Sequence, residues 1–328
     1  MLIPSSQLLE KVNGHLEQLS YSHEPINLYA PVQYVLSMGG KRLRPVLMLL
    51  THNLYKDDVD AILDSAVGIE MYHNFTLLHD DLMDRADMRR GRQTVHLKWN
   101  DNTAILSGDV MLSLADFYMS HCPDEVFRSV MQTFTRTSIE IAEGQQYDMD
   151  FEHRDDVAEA EYIEMIRLKT SVLLACSMKI GALLAGASAE DVENLYRAGE
   201  QMGLAFQLHD DYLDVYGDPK VFGKKNGGDI LCNKKTFLYV KTMQLANDRQ
   251  RATFDKWLAT DADDAVTKRA KIEAVTRLYT ELDMPRICCE EEDRYYRLAH
   301  AYLNKVSVPE ERKAELRAYL AGMMHRTV

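Results

Sequence analysis

Proline is missing from residues 46–122 and again from 124–218 of this 328-residue chain, which holds only eight prolines. The strongest helix breaker is thus absent from two long stretches. Alternating β-branched runs joined by Asn-Gly turns are missing too, which argues against strands and hairpins. Cysteine is scarce. The five are Cys122, Cys176, Cys232, Cys288 and Cys289, and no C-x-x-C pair occurs. That pattern excludes a disulfide framework and a zinc ribbon, and it fits a reducing cytoplasm. Positive charge is short, with 38 Lys and Arg against 51 Asp and Glu and a net charge of −13. Such a balance argues against nucleic-acid binding and against docking on an anionic membrane surface. The opening MLIPSSQLLEKVNGHLEQL has no basic segment before an apolar core, so no signal peptide is expected. The most apolar stretch, 171–188, carries Lys179 near its centre. It falls short of the ~20 residues a span needs. A buried core helix, with no membrane insertion, is expected there.

What is present points to helices. Apolar residues make up 46% of the chain, enough for a large core. They recur at three- and four-residue steps in AVGIEMYHNFTLLHDDLMD and LYRAGEQMGLAFQLHDDYLD. The spacing predicts an all-α protein, residues 1–328 forming one large helical domain packed around an interior site. The tail beyond about residue 245 reads as helices covering the core.

Two stretches nearly repeat each other. LLHDDLMD holds Asp80, Asp81 and Asp84, and QLHDDYLD holds Asp210, Asp211 and Asp214. In a helix, offsets of 0, +1 and +4 fall at about 0°, 100° and 40° around the axis. Three carboxylates then crowd one arc and repel one another. One such knot reads equally well as a solvated acidic face. Two copies, each behind an apolar helix and a histidine, point to hard divalent cations. Oxygen ligands without a His/Cys set suit Mg2+ over Zn2+. Two acidic helices facing each other would clamp several Mg2+ ions around one diphosphate. His79 and His209 read as packed residues.

Basic residues adjoin both knots. GGKRLRP supplies Lys41, Arg42 and Arg44 beside Gly39 and Gly40, where bare N–H groups can approach an anion. DMRRG supplies Arg89 and Arg90, and RLKTS supplies Lys169 and Thr170. The 220–236 loop supplies Lys224, Lys225, Lys234 and Lys235. In so acidic a chain these clusters suit phosphate recognition.

The ordered set GGKRLRP, HNFTLLHDDLMD, RRGRQTVH, EGQQYDM, LKTSVLL, GLAFQLHDDYLDVYGD and GKKNGGDI resembles the trans-isoprenyl diphosphate synthases, over about residues 39–236. The resemblance implies an all-α bundle around a deep central cavity, a homodimer, and three Mg2+ per active site. It implies that Asp80 and Asp84, with Asp81 beside them, and Asp210 and Asp214, with Asp211 beside them, are the catalytic aspartates. The outer four are the implied metal ligands. By the same likeness Gly40, Lys41, Arg44, His73 and Arg90 hold isopentenyl diphosphate. Arg89, Lys169, Thr170, Gln207, Lys224 and Lys234 surround the allylic diphosphate, with Lys169 also catalytic. One departure stands: Asn233-Lys234 occupies a place where the family usually has Gly-Lys.

Product length follows from residues below the first knot. Phe75 and Thr76 lie five and four residues before Asp80, with Tyr72 a turn lower. An aromatic beside a small residue resembles the pattern of twenty-carbon synthases. Geranylgeranyl diphosphate is the expected product and farnesyl diphosphate the alternative. A terpene cyclase is disfavoured by GGKRLRP and His73, and a non-catalytic synthase subunit by the two intact knots.

Overall fold

The computed structural model describes residues 2–218 and 226–324. The expected all-α character is what is found. The chain divides into two compact units. The first comprises residues 1–135, 176–193 and 307–317, and the second 136–175, 194–306 and 318–328.

In the first unit, α1 (Ser5–Gln18), α2 (Ile26–Leu36), α3 (Leu43–Asn53), α4 (Leu63–Met83), the single turn α5 (Val95–Lys98) and α6 (Asp101–Met119) follow in order. Helix α4 is the centre of this unit. It packs on α1, α2, α3 and α6, and its residues 65–72 are all buried. A helix apolar nearly all round is what a central position demands. Asn100 starts α6 by accepting the Thr103 N–H at 2.9 Å, a side-chain cap for one of the unpaired first-turn donors.

Helix α7 (Asp124–Glu152) begins in the first unit and ends in the second. The second unit holds α8 (Glu159–Ile166), a π-helical turn (Arg167–Ser171) and most of α10 (Ala189–Tyr216); α9 (Val172–Ala185), which continues the π turn, belongs mostly to the first unit. It also holds Gly228–Leu231, Phe237–Leu245, Asp248–Leu258, Ala265–Glu281, Met284–Lys305 and the end of Glu310–Met324, so the tail is helical as expected.

The π turn has a steric cause. A Cβ at Gly144 would lie 2.4 Å from the Lys169 backbone nitrogen, and one at Gly203 would lie 2.5 Å from Ser171 Cα. Only two glycines let α7 and α10 approach the widened turn so closely. The stretch Glu159–Ala185 is long and apolar enough to cross a membrane, but 78% of its apolar window is buried inside the protein.

Among the described residues there is one small sheet. Met88–Arg89 and Arg92–Gln93 form a minimal antiparallel hairpin. Its turn residues Arg90 and Gly91 both have positive φ, 51° and 73°. This is the twist a two-residue hairpin requires, with arginine in a region that L residues rarely adopt.

Candidate active site

The first acidic station closes α4. Asp81 is buried, whereas Asp80 is half-buried and Asp84, the C-cap, is exposed. Arg89 reaches back from the hairpin and donates to Asp81 at 2.6 and 2.9 Å, with Asp80 at 3.8 Å. Burial pushes the Asp81 carboxyl above the usual range, and the Arg89 guanidinium opposes that rise. The middle aspartate is thus committed to holding Arg89, and the outer two are less buried.

The second station, on α10, has the same construction. Asp211 is buried and accepts from Tyr162 Oη, from Gln207 Nε2 at 3.0 Å and from the Phe237 N–H at 3.2 Å. Burial raises its carboxyl to about 6 despite these donors. Gln207 also accepts from Thr170 Oγ1 at 2.9 Å, so a hydrogen-bonded chain runs from Thr170 through Gln207 to Asp211. Asp210 and Asp214 are half-buried.

Residues assigned to isopentenyl diphosphate gather in the first unit. Gly40 stacks on Arg90: a Cβ there would fall 2.8 Å from the guanidinium carbon. Arg90 also donates to the Gly39 carbonyl. Arg44 Nη1 lies 3.2 Å from His73 Nε2. Burial lowers Arg44 to about 10. Burial also holds His73 well below its ordinary value, reinforced by Arg44, Arg90, Arg89 and Arg42. The imidazole is therefore neutral, and its Nε2 accepts from Arg44. Lys41 is exposed on the loop before α3. Arg42 stands apart in role, because Glu70 neutralises it at 2.6 Å inside the core.

Of the allylic set, Arg89 belongs to the first unit, and Lys169, Thr170, Gln207 and Lys234 to the second. Lys224 and Lys225 lie outside the described residues. Lys235 does not join Lys234: it is buried against Asp155 and the Tyr239 hydroxyl. Asn233 has φ 53° and donates to the Leu258 carbonyl at 3.0 Å. The position calls for a left-handed backbone, and asparagine is the residue that best replaces glycine there.

Two acidic residues escaped sequence reasoning. Asp148 Oδ2 accepts from Lys169 at 2.5 Å, with Lys234 at 3.9 Å. Burial opposes its ionisation, yet the two lysines outweigh burial and hold the carboxyl below its usual range. Asp229 donates its backbone N–H to Asp214 at 3.1 Å. Burial raises its carboxyl to about 7, and Asp214, Asp211 and Asp210 add to the rise. Both residues lie in the motifs EGQQYDM and GKKNGGDI, and position within those motifs was the available signal.

The donor chemistry fits Mg2+. Among the described residues no three His, Cys, Asp or Glu side chains converge to bind a metal unaided. Each station instead presents two outer carboxylates one helical turn apart. Mg2+ binds through one or two carboxylates, waters and substrate phosphates.

Phe75 is half-buried, its ring 5.4 Å from Tyr72 and 4.8 Å from His79. The buried Tyr72 ring meets Phe134 at 5.3 Å. Thr76 gives its hydroxyl to the His73 carbonyl at 2.8 Å. His79 bonds the Ile105 carbonyl at 3.1 Å and His209 bonds Glu292 at 3.1 Å, so both histidines are the packed residues expected.

An all-helical fold carrying two aspartate stations and flanking cations defines a prenyltransferase of the isoprenoid synthase class. The polyprenyl synthetase family model matches residues 25–275. A geranylgeranyl diphosphate synthase of Methanosarcina mazei is 42% identical, over 71% of this chain and 72% of that protein. A geranylfarnesyl diphosphate synthase of Natronomonas pharaonis is 40% identical, over 70% and 72%. A crystal structure of a geranylgeranyl pyrophosphate synthase superposes with a TM-score of 0.94 at 39% identity, covering 99% of this chain and 100% of that one. The chain belongs to the polyprenyl synthetase family.

Proposed function

We propose that this prenyltransferase condenses isopentenyl diphosphate head-to-tail with an allylic diphosphate (dimethylallyl, geranyl or farnesyl). Its main product is geranylgeranyl diphosphate, as the name of the Methanosarcina relative suggests. One observation carries this reading: both stations bury and tie the middle aspartate, Asp81 to Arg89 and Asp211 to Gln207, while the outer two carboxylates of each are less buried.

In this reading Asp80, Asp84, Asp210 and Asp214 hold three Mg2+, the ion in general use in the family. Once bound, Mg2+ supplies Lewis-acid neutralisation of the leaving diphosphate. The side chains do the rest. Lys169, Lys234, Lys224 and Arg89 place positive charge where the allylic diphosphate gains negative charge. Thr170 and Gln207, held by Asp211, position it. Arg44, Arg90, Lys41 and the Gly40 N–H hold isopentenyl diphosphate, with neutral His73 fixing the Arg44 guanidinium. Condensation in this reading requires that water be kept from the allylic cation. The proton lost after condensation goes to the departing diphosphate.

Phe75, with Tyr72 behind it and Thr76 beside it, sets the chain length. The active form is a homodimer in the cytoplasm, and the exposed Ile105, Leu106 and Phe117 of α6 supply an apolar face for a second copy. Incubation of the purified chain with isopentenyl diphosphate, each allylic starter and Mg2+, followed by mass spectrometry, tests the reading. A twenty-carbon product is expected. Cyclised hydrocarbon from the allylic substrate alone, or no condensation, would overturn it.

A further inference from the structure

The hairpin of residues 88–93 carries Arg89 and Arg90, yet little in it is self-supporting. Met88 pairs with Gln93 and Arg89 with Arg92, and so short a ribbon is marginal in water on its own. Arg90 adds strain, because its left-handed backbone (φ 51°) persists only where the surroundings impose it. Thr94 closes the open end. Its hydroxyl donates to the Ala86 carbonyl at 2.7 Å and its N–H to the Asp87 carbonyl at 3.1 Å. Arg89 has a tether of its own in Asp81. Arg90 rests instead on the Gly39 carbonyl, in a glycine loop.

One side chain of α2 grips the returning strand. Tyr34 Oη donates to the Gln93 carbonyl at 2.8 Å. The Arg92 guanidinium carbon lies 4.2 Å from the centre of the Tyr34 ring, and Lys98 Nζ lies 3.7 Å from it. Both cations thus meet the π face of one aromatic ring. Trp99 meets that ring edge-on at 5.3 Å, and its own ring lies 4.8 Å from Lys98 Nζ. A second link runs through Ser37, whose hydroxyl accepts from Arg92 Nη1 at 3.0 Å and donates to the Tyr34 carbonyl at 2.8 Å. All of these residues belong to the first unit. Tyr34 is half-buried and lies outside its core. Helix α2 ends at Leu36 and leads into the Gly39–Gly40 loop. One helix end therefore anchors both the loop and the hairpin, and with them Gly40 and the Arg90 guanidinium that lies against it.

We propose that Tyr34 is a positioning residue for isopentenyl diphosphate: it holds the returning strand of the hairpin on the end of α2, so that Arg90 stands against Gly40 before the diphosphate arrives. This rests on the reaction proposed above. Tyr34 acts through Arg90 and not on the reacting atoms. Donors fixed in advance lose less conformational freedom on binding. Releasing the strand therefore weakens capture of the diphosphate and leaves the bond-making step as it was. Arg89 escapes most of the loss, because Asp81 keeps its own hold on it.

The test compares wild type with Tyr34→Phe, which keeps the ring and loses the bond to Gln93, with Tyr34→Leu, which loses both, with Arg92→Gln, and with the Tyr34→Leu/Arg92→Gln double variant. Steady-state constants with each substrate varied in turn, Tm, and hydrogen exchange of residues 86–94 are measured. The KM for isopentenyl diphosphate should rise about threefold in Tyr34→Phe and about tenfold in Tyr34→Leu. The values of kcat and of the allylic KM should stay within about twofold. Exchange in 86–94 should quicken in Tyr34→Leu while that of α4 does not change. The double variant should raise the isopentenyl diphosphate KM by less than the product of the two single effects, since both changes release one contact. A KM for isopentenyl diphosphate within about twofold of wild type in Tyr34→Leu would overturn the proposal, as would equal rises in the two substrate constants or a double effect equal to that product. Where Tyr34→Leu does not fold, Tyr34→Phe decides alone, and an unchanged isopentenyl diphosphate KM in it overturns the proposal. A wild-type chain that fails to condense would instead overturn the parent reading, and this one with it.

Discussion

Lys169 donates to Asp148 at 2.5 Å, and Lys234 approaches the same carboxylate oxygen at 3.9 Å. One half-buried anion therefore holds two cations that are 65 positions apart in sequence, on the π turn and on the loop before helix Phe237–Leu245. Without it they would repel each other. Replacing Asp148 with Asn should disperse them and raise the KM for the allylic diphosphate about tenfold, leaving that for isopentenyl diphosphate within about twofold. Steady-state kinetics with each substrate varied in turn checks this, and equal rises in both constants would refute it.

Much of this was readable from sequence, for definable reasons. Proline-free, helically periodic stretches become α4 and α10 because apolar residues recurring at three- and four-residue steps are buried along a helix. The acidic knots were visible as repeats. Their internal division of labour was not, although it is latent in the helix geometry. The middle aspartate sits about 100° from the first, enough to turn it into the protein. Features decided by distant residues stayed hidden. The π turn at Lys169 depends on Gly144 and Gly203, and the hairpin depends on Arg90 accepting a left-handed backbone. Asp148 was one acid among 51 until its lysines were placed.

Tyr162 Oη donates to buried Asp211, which also accepts from Gln207. Burial keeps the phenol far above its usual titration range, so it remains a donor. Tyr162→Phe should lower stability by about 1.5–3 kcal/mol, the range for a bond to a charged group. It should also loosen Gln207 and raise the allylic KM. Thermal melts and kinetics measure both, and a lower Tm with an unchanged allylic KM would leave Tyr162 a purely structural role.

Asp229 gives the metal-free protein a pH dependence of definite sign. Its folded carboxyl titrates at about 7 because of burial and the nearby Asp214, Asp211 and Asp210. In the unfolded chain it titrates near 4. Between those values the folded state binds the extra proton, so this group's contribution to stability falls as pH rises from about 4 to 7 and is flat above. Asp229→Asn removes that slope. In metal-free buffer the variant should melt higher than wild type at pH 8, with the difference shrinking toward pH 5. An identical pH profile for the two proteins would contradict the assignment.

Gly144 and Gly203 admit the π turn by steric allowance alone. A methyl group at Gly144 meets Lys169 backbone nitrogen at 2.4 Å, an atom that cannot swing aside. Gly144→Ala should cost about 1–3 kcal/mol, the usual range for overpacking, and shift Lys169 away from Asp148. Gly14, where an added methyl group would meet nothing within 4 Å, provides the control: Gly14→Ala should be tolerated. Equal melting temperatures and equal activities for the two variants would show that the turn does not depend on this contact.

Phe75 is the residue where ring packing and the proposed chain-length stop coincide. Its ring is held between Tyr72 and His79, and Tyr72 is backed by Phe134. Phe75→Ala removes the first ring and leaves the second, so the chain should grow past twenty carbons and stop at Tyr72. The double variant with Tyr72→Ala should extend further, to the level of Phe134. Because Phe75 is only half-buried, its truncation should cost less than the 3–5 kcal/mol of a fully buried phenylalanine, about 1–3 kcal/mol, and the enzyme should stay folded for assay. Tyr72 is buried, so the double variant needs a melting curve alongside the product analysis. Mass spectrometry of the prenyl products reads the stepwise order directly. An unchanged product from Phe75→Ala would place the chain-length stop elsewhere, whereas a longer product that Tyr72→Ala does not extend would make Phe75 the sole floor.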